Sequence, residues 1–185
     1  MTAAGEDWLT SQLKTQYPRF FFTTEVRELT ERILERLGLG GVDGVYYDQD
    51  QAFPSPNDVF LYPGGMSAIN AVARALGNLG INSGVFGFGW LYTETVKILE
   101  HRWPDIEIYK KSGDEELDRL EASLKSGRQI TALWVDVPSN PMLITPDMPR
   151  LRRLADKHHF LILIDGTVGT FGNVDLLPYA DVLYV

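Results

Sequence analysis

The sequence predicts an α/β domain with a mainly parallel sheet and helices on both faces. Two observations carry this reading. Short apolar runs recur between residues 58 and 185, with helical segments between most of them. The runs are apolar throughout rather than alternating, as strands are when both faces of a sheet are covered.

Taken in order, residues 23–38 read as a helix. Val26, Leu29, Ile33, Leu34 and Leu37 share one face, Thr23 or Thr24 caps the start and Gly38 closes the end. Residues 39–57 read as loop. "DVFLY" (58–62) reads as a strand, and the turn Pro63-Gly64-Gly65-Met66 leads into a helix over 67–79. Residues 83–88 form the next strand, and 92–100 a helix that Trp103-Pro104 ends. A strand over 106–110 precedes a helix capped by Asp114 and bearing Leu117, Leu120 and Leu124. Residues 130–137 are a strand. Asp147 begins a helix with Met148, Leu151, Leu154 and Ala155 inward, and 161–165 and 181–185 are strands. The expected division is an N-terminal helical and loop segment, 1–57, ahead of an α/β domain, 58–185.

Composition narrows the function classes. The chain has 185 residues, enough for one domain with a real core. Its formal charge of −8 disfavours binding to phosphate backbones, so no nucleic-acid partner is expected. It has no cysteine, which removes disulfides, thiolate metal ligands and a thiol nucleophile. The N-terminal residues carry acids and no apolar run, and no stretch has the length of a membrane span. A soluble, cytoplasmic protein with no membrane partner is expected.

The chemistry-bearing residues follow the strands. Gly65-Met66 opens a helix, where backbone N–H groups favour an anion. Trp90-Leu91-Tyr92 follows the second run, and Pro138-Ser139-Asn140-Pro141 follows the fourth. Asp165-Gly166-Thr167 follows the fifth, placing a carboxylate where open α/β sheets bind ligands. Each alone is ordinary turn chemistry. Other features carry less. Gly87-Phe88-Gly89 is a partial dinucleotide fingerprint without its third glycine. His158 and His159 diverge on a helix end, and Asp114-Glu115-Glu116 suits a helix start, so no metal site is expected.

Together, in this order, the four motifs resemble the pyridoxal-phosphate-dependent enzymes of cysteine and methionine metabolism. "FLYPGGMSAINAVARAL" and "LPYADVLYV" are most similar to the fungal-type cystathionine gamma-synthase branch. The resemblance runs from about residue 58 to 185. It implies part of the large domain of the aspartate-aminotransferase-like (type I) pyridoxal-phosphate fold. It implies that Gly65 and Met66 bind the cofactor phosphate, Tyr92 stacks on the pyridine ring and assists proton transfer, and Asn140 bonds the ring hydroxyl oxygen. Asp165 would pair with the ring nitrogen, with the Thr167 hydroxyl beside it. The implied reaction is γ-replacement or elimination on an activated homoserine or related sulfur amino acid, with cysteine or another thiol as partner. The resemblance also implies a homo-oligomer for the full-length protein.

The sequence departs from the family pattern at several positions. Gly64 replaces a frequent serine, Asp136 a usual glutamate, and Gly166 a frequent Asn or Glu; the region of Tyr46-Tyr47 lacks a Tyr-x-Arg pattern. The family's cofactor-linking lysine lies in a Ser-x-Thr-Lys segment that would begin just after Val185. The expectation is therefore a truncated domain, poorly soluble and inactive in transsulfuration by itself. The alternative is a catalytically inactive remnant or interaction protein of the same fold.

Overall fold

The computed structural model describes residues 59–185 apart from 79, 82 and 83, and not the side chains of 171 and 172. The expected helix over 23–38 and the loop after it lie outside the described residues. The chain divides into two compact units, Thr2–Gly64 and Gly65–Val185, and the second carries the sheet.

That unit begins with helix α1 (Gly65–Asn78), which buries Ile69, Val72, Ala73 and Leu76. Strand β1 (Val85–Phe88), helix α2 (Thr93–Arg102), strand β2 (Glu107–Tyr109) and helix α3 (Asp114–Lys125) follow. Then come β3 (Ala132–Asp136), α4 (Met148–His158), β4 (Leu161–Asp165), a single turn α5 (Thr170–Asn173), a 3-10 turn (Leu177–Tyr179) and β5 (Val182–Tyr184). Tandem apolar runs thus become strands and the amphipathic stretches between them helices, as the spacing predicts.

Four differences have physical reasons. Residues 59–62 are not a strand, although "VFLY" is apolar; an apolar run becomes a strand only where it meets a partner strand. Gly113, extended at φ −86°, is the N-cap of α3, and Asp114 is the first helical residue, where its charge still faces the helix dipole. Strands β1, β2, β3 and β5 are shorter than the apolar runs, because pairing ends before the runs do. The short α5 and the 3-10 turn have too few residues to show a period.

The sheet is wholly parallel, in the order β2-β1-β3-β4-β5. The chain moves one way from β1 to β2, then crosses back to β3 and continues to β5. The strand order therefore reverses between β1 and β3, which opens a crevice at their carboxyl ends. The two faces have separate cores. Phe86, Phe88, Leu133, Val135, Ile162 and Ile164 pack against α3 and α4. Val85, Ala132, Trp134, Leu163 and Tyr184 pack against α1 and α2. Trp134 is fully buried, and burial of a side chain that large is worth about 3 kcal/mol.

Local geometry sets the ends. Asp147 accepts the Arg150 N–H at 2.8 Å and caps α4, while His159 closes it in the left-handed region at φ 58°. The two glycines of the partial dinucleotide fingerprint have packing roles. A Cβ at Gly87 would lie 2.8 Å from Leu91 Cδ1, and Gly89 turns the chain at φ 79° against Ser112.

Candidate active site

Helix α2 leaves the carboxyl end of β1 and runs toward the amino end of β2. At its far end the Trp103 Nε1–H donates to the Ile81 carbonyl at 2.8 Å, just past the end of α1. The two helices therefore run the same way, and both start at the carboxyl ends of the strands. Gly65 opens α1 there, and Tyr92 is the N-cap of α2. The first N–H groups of α1 have no partner within the helix. A Cβ built on Gly65 meets nothing within 4 Å among the described residues, none of which blocks the backbone at that start. Met66 beside it is exposed.

The strand ends supply the acids. Asp136 ends β3 and Asp165 ends β4, in register with each other, and Tyr184 of β5 is in register with Asp165. Trp134 and Leu163, two residues earlier on β3 and β4, belong to the core under α1 and α2. Strand side chains alternate, so Asp136, Asp165 and Tyr184 face the α1/α2 side. Asp136 is 6% exposed, Asp165 9% and Tyr184 6%.

Short hydrogen bonds tie the loops to these ends. Asp136 Oδ2 accepts the Tyr92 N–H at 2.7 Å, fastening the β1–α2 turn to β3. Asp165 Oδ1 accepts the Thr167 N–H at 2.9 Å. After β3, Ser139 is buried and accepts the Ile144 N–H on its hydroxyl at 3.2 Å, while its own N–H donates to the Ile144 carbonyl at 3.0 Å. The turn is thus closed by Ser139, and Asn140 next to it is exposed. Trp90 and Tyr92 are exposed large aromatics on the neighbouring turn.

Burial and like charge perturb the acids. Desolvation first, then the charge of Asp165, raises the Asp136 carboxyl to about 7 against the lowering effect of the Tyr92 N–H. Burial, then the two acids, pushes the Tyr184 hydroxyl well above its ordinary value. On this face Thr95 Oγ1, Trp134 Nε1, Asp136 Oδ1 and the Tyr184 hydroxyl are buried without a partner among the described residues. Unsatisfied buried polar atoms each cost about 1–3 kcal/mol, a cost that a polar occupant beside this cluster would offset.

The residues expected from sequence thus fall at one end of the unit. Gly65 and Met66 start α1, Tyr92 precedes α2, Asn140 follows β3, and Asp165 and Thr167 follow β4. Thr167 enters through its backbone, and its side chain is exposed. Sequence reasoning singled out neither Tyr184 nor Ser139. Tyr184 sits in an apolar run that reads as core, and Ser139 reads as one more turn residue. The signal for Asp136, an acid at the end of an apolar strand, was the same one that marked Asp165.

Comparison with known proteins identifies the family and the fold. The family described as Cys/Met metabolism PLP-dependent enzyme matches residues 51–183. A cystathionine gamma-synthase-like enzyme of Amanita muscaria is 44% identical over 137 residues, covering 70% of this chain and 22% of that protein. An alanine racemase of Aspergillus violaceofuscus is 42% identical over 133 residues, covering 68% of this chain and 22% of that protein. The chain thus spans about a fifth of the length of these relatives. Among solved structures, the apo form of a methionine gamma lyase from Micromonospora echinospora matches with a TM-score of 0.59 and 17% identity, over 87% of this chain and 38% of that one. The fold is that of the aspartate-aminotransferase-like pyridoxal-phosphate enzymes.

The family's cofactor is pyridoxal 5'-phosphate, and the residues present fit it. An open helix start suits a phosphate, and a buried acid at a strand end suits a protonated ring nitrogen. The unpartnered polar atoms beside that acid suit a polar occupant.

Proposed function

The chain belongs to the family of pyridoxal-phosphate-dependent enzymes of cysteine and methionine metabolism, and on that premise we propose that it serves a cystathionine gamma-synthase-like reaction. The substrate class is an activated homoserine or related sulfur amino acid, and the chemistry is replacement or elimination at Cγ. When bound, pyridoxal phosphate supplies an electron sink for the bonds at the amino acid's Cα.

In this reading the chain's residues bind and orient. The α1 start, at Gly65 and Met66, takes the phosphate on backbone N–H groups. Asp165 takes the ring nitrogen and keeps its proton in place, since a carboxylate beside a cation favours the charged form. Tyr92 covers the ring, with its hydroxyl placed for proton transfer, and Asn140 meets the ring hydroxyl oxygen. Thr167 holds Asp165 Oδ1 through its N–H. The observation that carries the proposal is the buried carboxyl of Asp165 at the end of β4, on the sheet face that α1 covers.

The test is a pyridoxal-phosphate titration followed by tryptophan fluorescence. Asp165→Asn should bind at least about tenfold more weakly, as the loss of a charge-assisted hydrogen bond implies. Equal affinity in the variant would defeat the assignment of Asp165.

A second reading, amino-acid racemisation, is favoured by the similarity to the Aspergillus violaceofuscus racemase. Both reactions begin with loss of the α-proton, so the same acid serves either. Incubation of the whole protein with amino acids in deuterated water separates them. Exchange at Cα alone supports racemisation, and exchange at Cα and Cβ supports chemistry at Cγ.

A further inference from the structure

Asp136 and Asp165 end neighbouring parallel strands in register, and neighbouring strands lie about 4.8 Å apart. Both carboxyl groups face the α1/α2 side and both are buried. The groups around Asp136 can be named. Asp165 flanks it on β4, and the Tyr184 hydroxyl lies one strand further on. The Tyr92 N–H reaches it from the turn after β1. The residues that α1 and α2 bury on this face, Ile69, Val72, Leu76 and Leu99 and the Thr95 hydroxyl, are uncharged. Among the described residues, the groups that act on Asp136 are the Asp165 carboxyl and the Tyr92 N–H.

Two carboxylates side by side in a buried layer do not both ionise readily. The two oxygens of Asp136 are also unlike. Oδ2 accepts from Tyr92, while Oδ1 is buried with no partner among the described residues. A neutral carboxyl is compatible with this arrangement: its carbonyl oxygen still accepts the Tyr92 N–H at Oδ2, and a proton on Oδ1 removes the buried charge.

We propose that Asp136 is a positioning residue that is protonated in the folded protein, so that a neutral Asp136 clamps the Tyr92 turn beside Asp165. This rests on the cofactor reading above but adds a role to a residue outside it. The elevated value of the Asp136 carboxyl, about 7, agrees with the geometry. It keeps a proton on Asp136 over the range between the ordinary value of 3.8 and about 7.

Carbon-13 NMR of the aspartate carboxyl groups, on the protein without cofactor, tests the proton. One carboxyl should titrate near neutral pH. That titration should be absent in Asp136→Asn and move to lower pH in Asp165→Asn, where the like charge is gone. A near-neutral titration that persists in Asp136→Asn, or is missing from the unaltered protein, overturns the proposal. Pyridoxal-phosphate titration by fluorescence tests the clamp. Asp136→Asn, uncharged and able to accept the Tyr92 N–H, should bind within about twofold of the unaltered protein, and Asp136→Ala about tenfold more weakly. Equal losses in both variants overturn the neutral clamp, and no loss in Asp136→Ala overturns the clamp altogether. If none of the proteins binds pyridoxal phosphate, the cofactor reading fails while the NMR titration still decides where the proton resides.

Discussion

Tyr184 lies in register with Asp165 on the neighbouring strand, its ring 5.7 Å from that of Trp134 and its hydroxyl buried without a partner among the described residues. A tyrosine in an apolar strand thereby becomes a polar member of the row of acids. A buried hydroxyl without a hydrogen bond destabilises the fold. Tyr184→Phe should therefore stabilise the protein without cofactor by about 1–2 kcal/mol in urea denaturation. A loss of stability would mean that the hydroxyl has a partner within the chain.

The pH dependence of stability carries a second signature. The carboxyl of Asp136 rises from 3.8 to about 7 on folding. Between these values the folded protein holds a proton that the unfolded chain has released. Asp136 therefore makes the protein less stable as pH rises through that window, by on the order of 4 kcal/mol in total, and adds no further change above it. Asp136→Asn removes this dependence. The variant should exceed the unaltered protein in stability at pH 8, and the difference should shrink toward pH 4. Urea midpoints at the two pH values check this, and parallel curves would contradict it.

Gly65 separates folding from binding. A Cβ there meets nothing within 4 Å among the described residues, and alanine favours a helix more than glycine by roughly 1 kcal/mol. Gly65→Ala should keep or slightly raise the melting temperature. It should weaken pyridoxal-phosphate binding, because the methyl group occupies the approach to the first N–H groups of α1. Unchanged affinity would remove the α1 start from the phosphate site.

Gly89 should respond in the opposite way. Its φ of 79° and a Cβ position 2.3 Å from Ser112 Oγ leave no room for a side chain. Gly89→Ala should cost about 1–3 kcal/mol in urea denaturation. Removing the Ser112 hydroxyl as well, in the double variant Gly89→Ala with Ser112→Ala, should recover part of that loss. No recovery would assign the whole effect to the backbone angle.

Sequence patterns disclosed most of the fold because each strand between 85 and 184 is an apolar run bounded by turn residues. Leu161–Asp165 falls where the pattern places it, and α4 begins after Asp147 as its capping residue implies. The segment 59–62 misleads because apolarity alone does not say whether a segment finds a partner strand. Asp165 is legible as a ligand-facing acid because it ends an apolar strand. The pairing of Asp136 with Asp165 is not, since register between strands is a property of the assembled sheet. Tyr184 is hidden for the same reason: only its neighbours turn it from a core residue into a polar one.

The placement of β1 also fixes when this crevice can exist. Val85 pairs with Ala132, and β2, synthesised between them, ends up on the outer side of β1. The turn at Tyr92 waits for Asp136, and Asp136 for its neighbour on β4. Pairings so distant along the chain are slow to form, because a large loop must close before any contact offsets its entropy. A growing chain halted before β3 therefore exposes an apolar β1–β2 edge and no binding crevice, and nascent copies at that stage should be the species most prone to self-association.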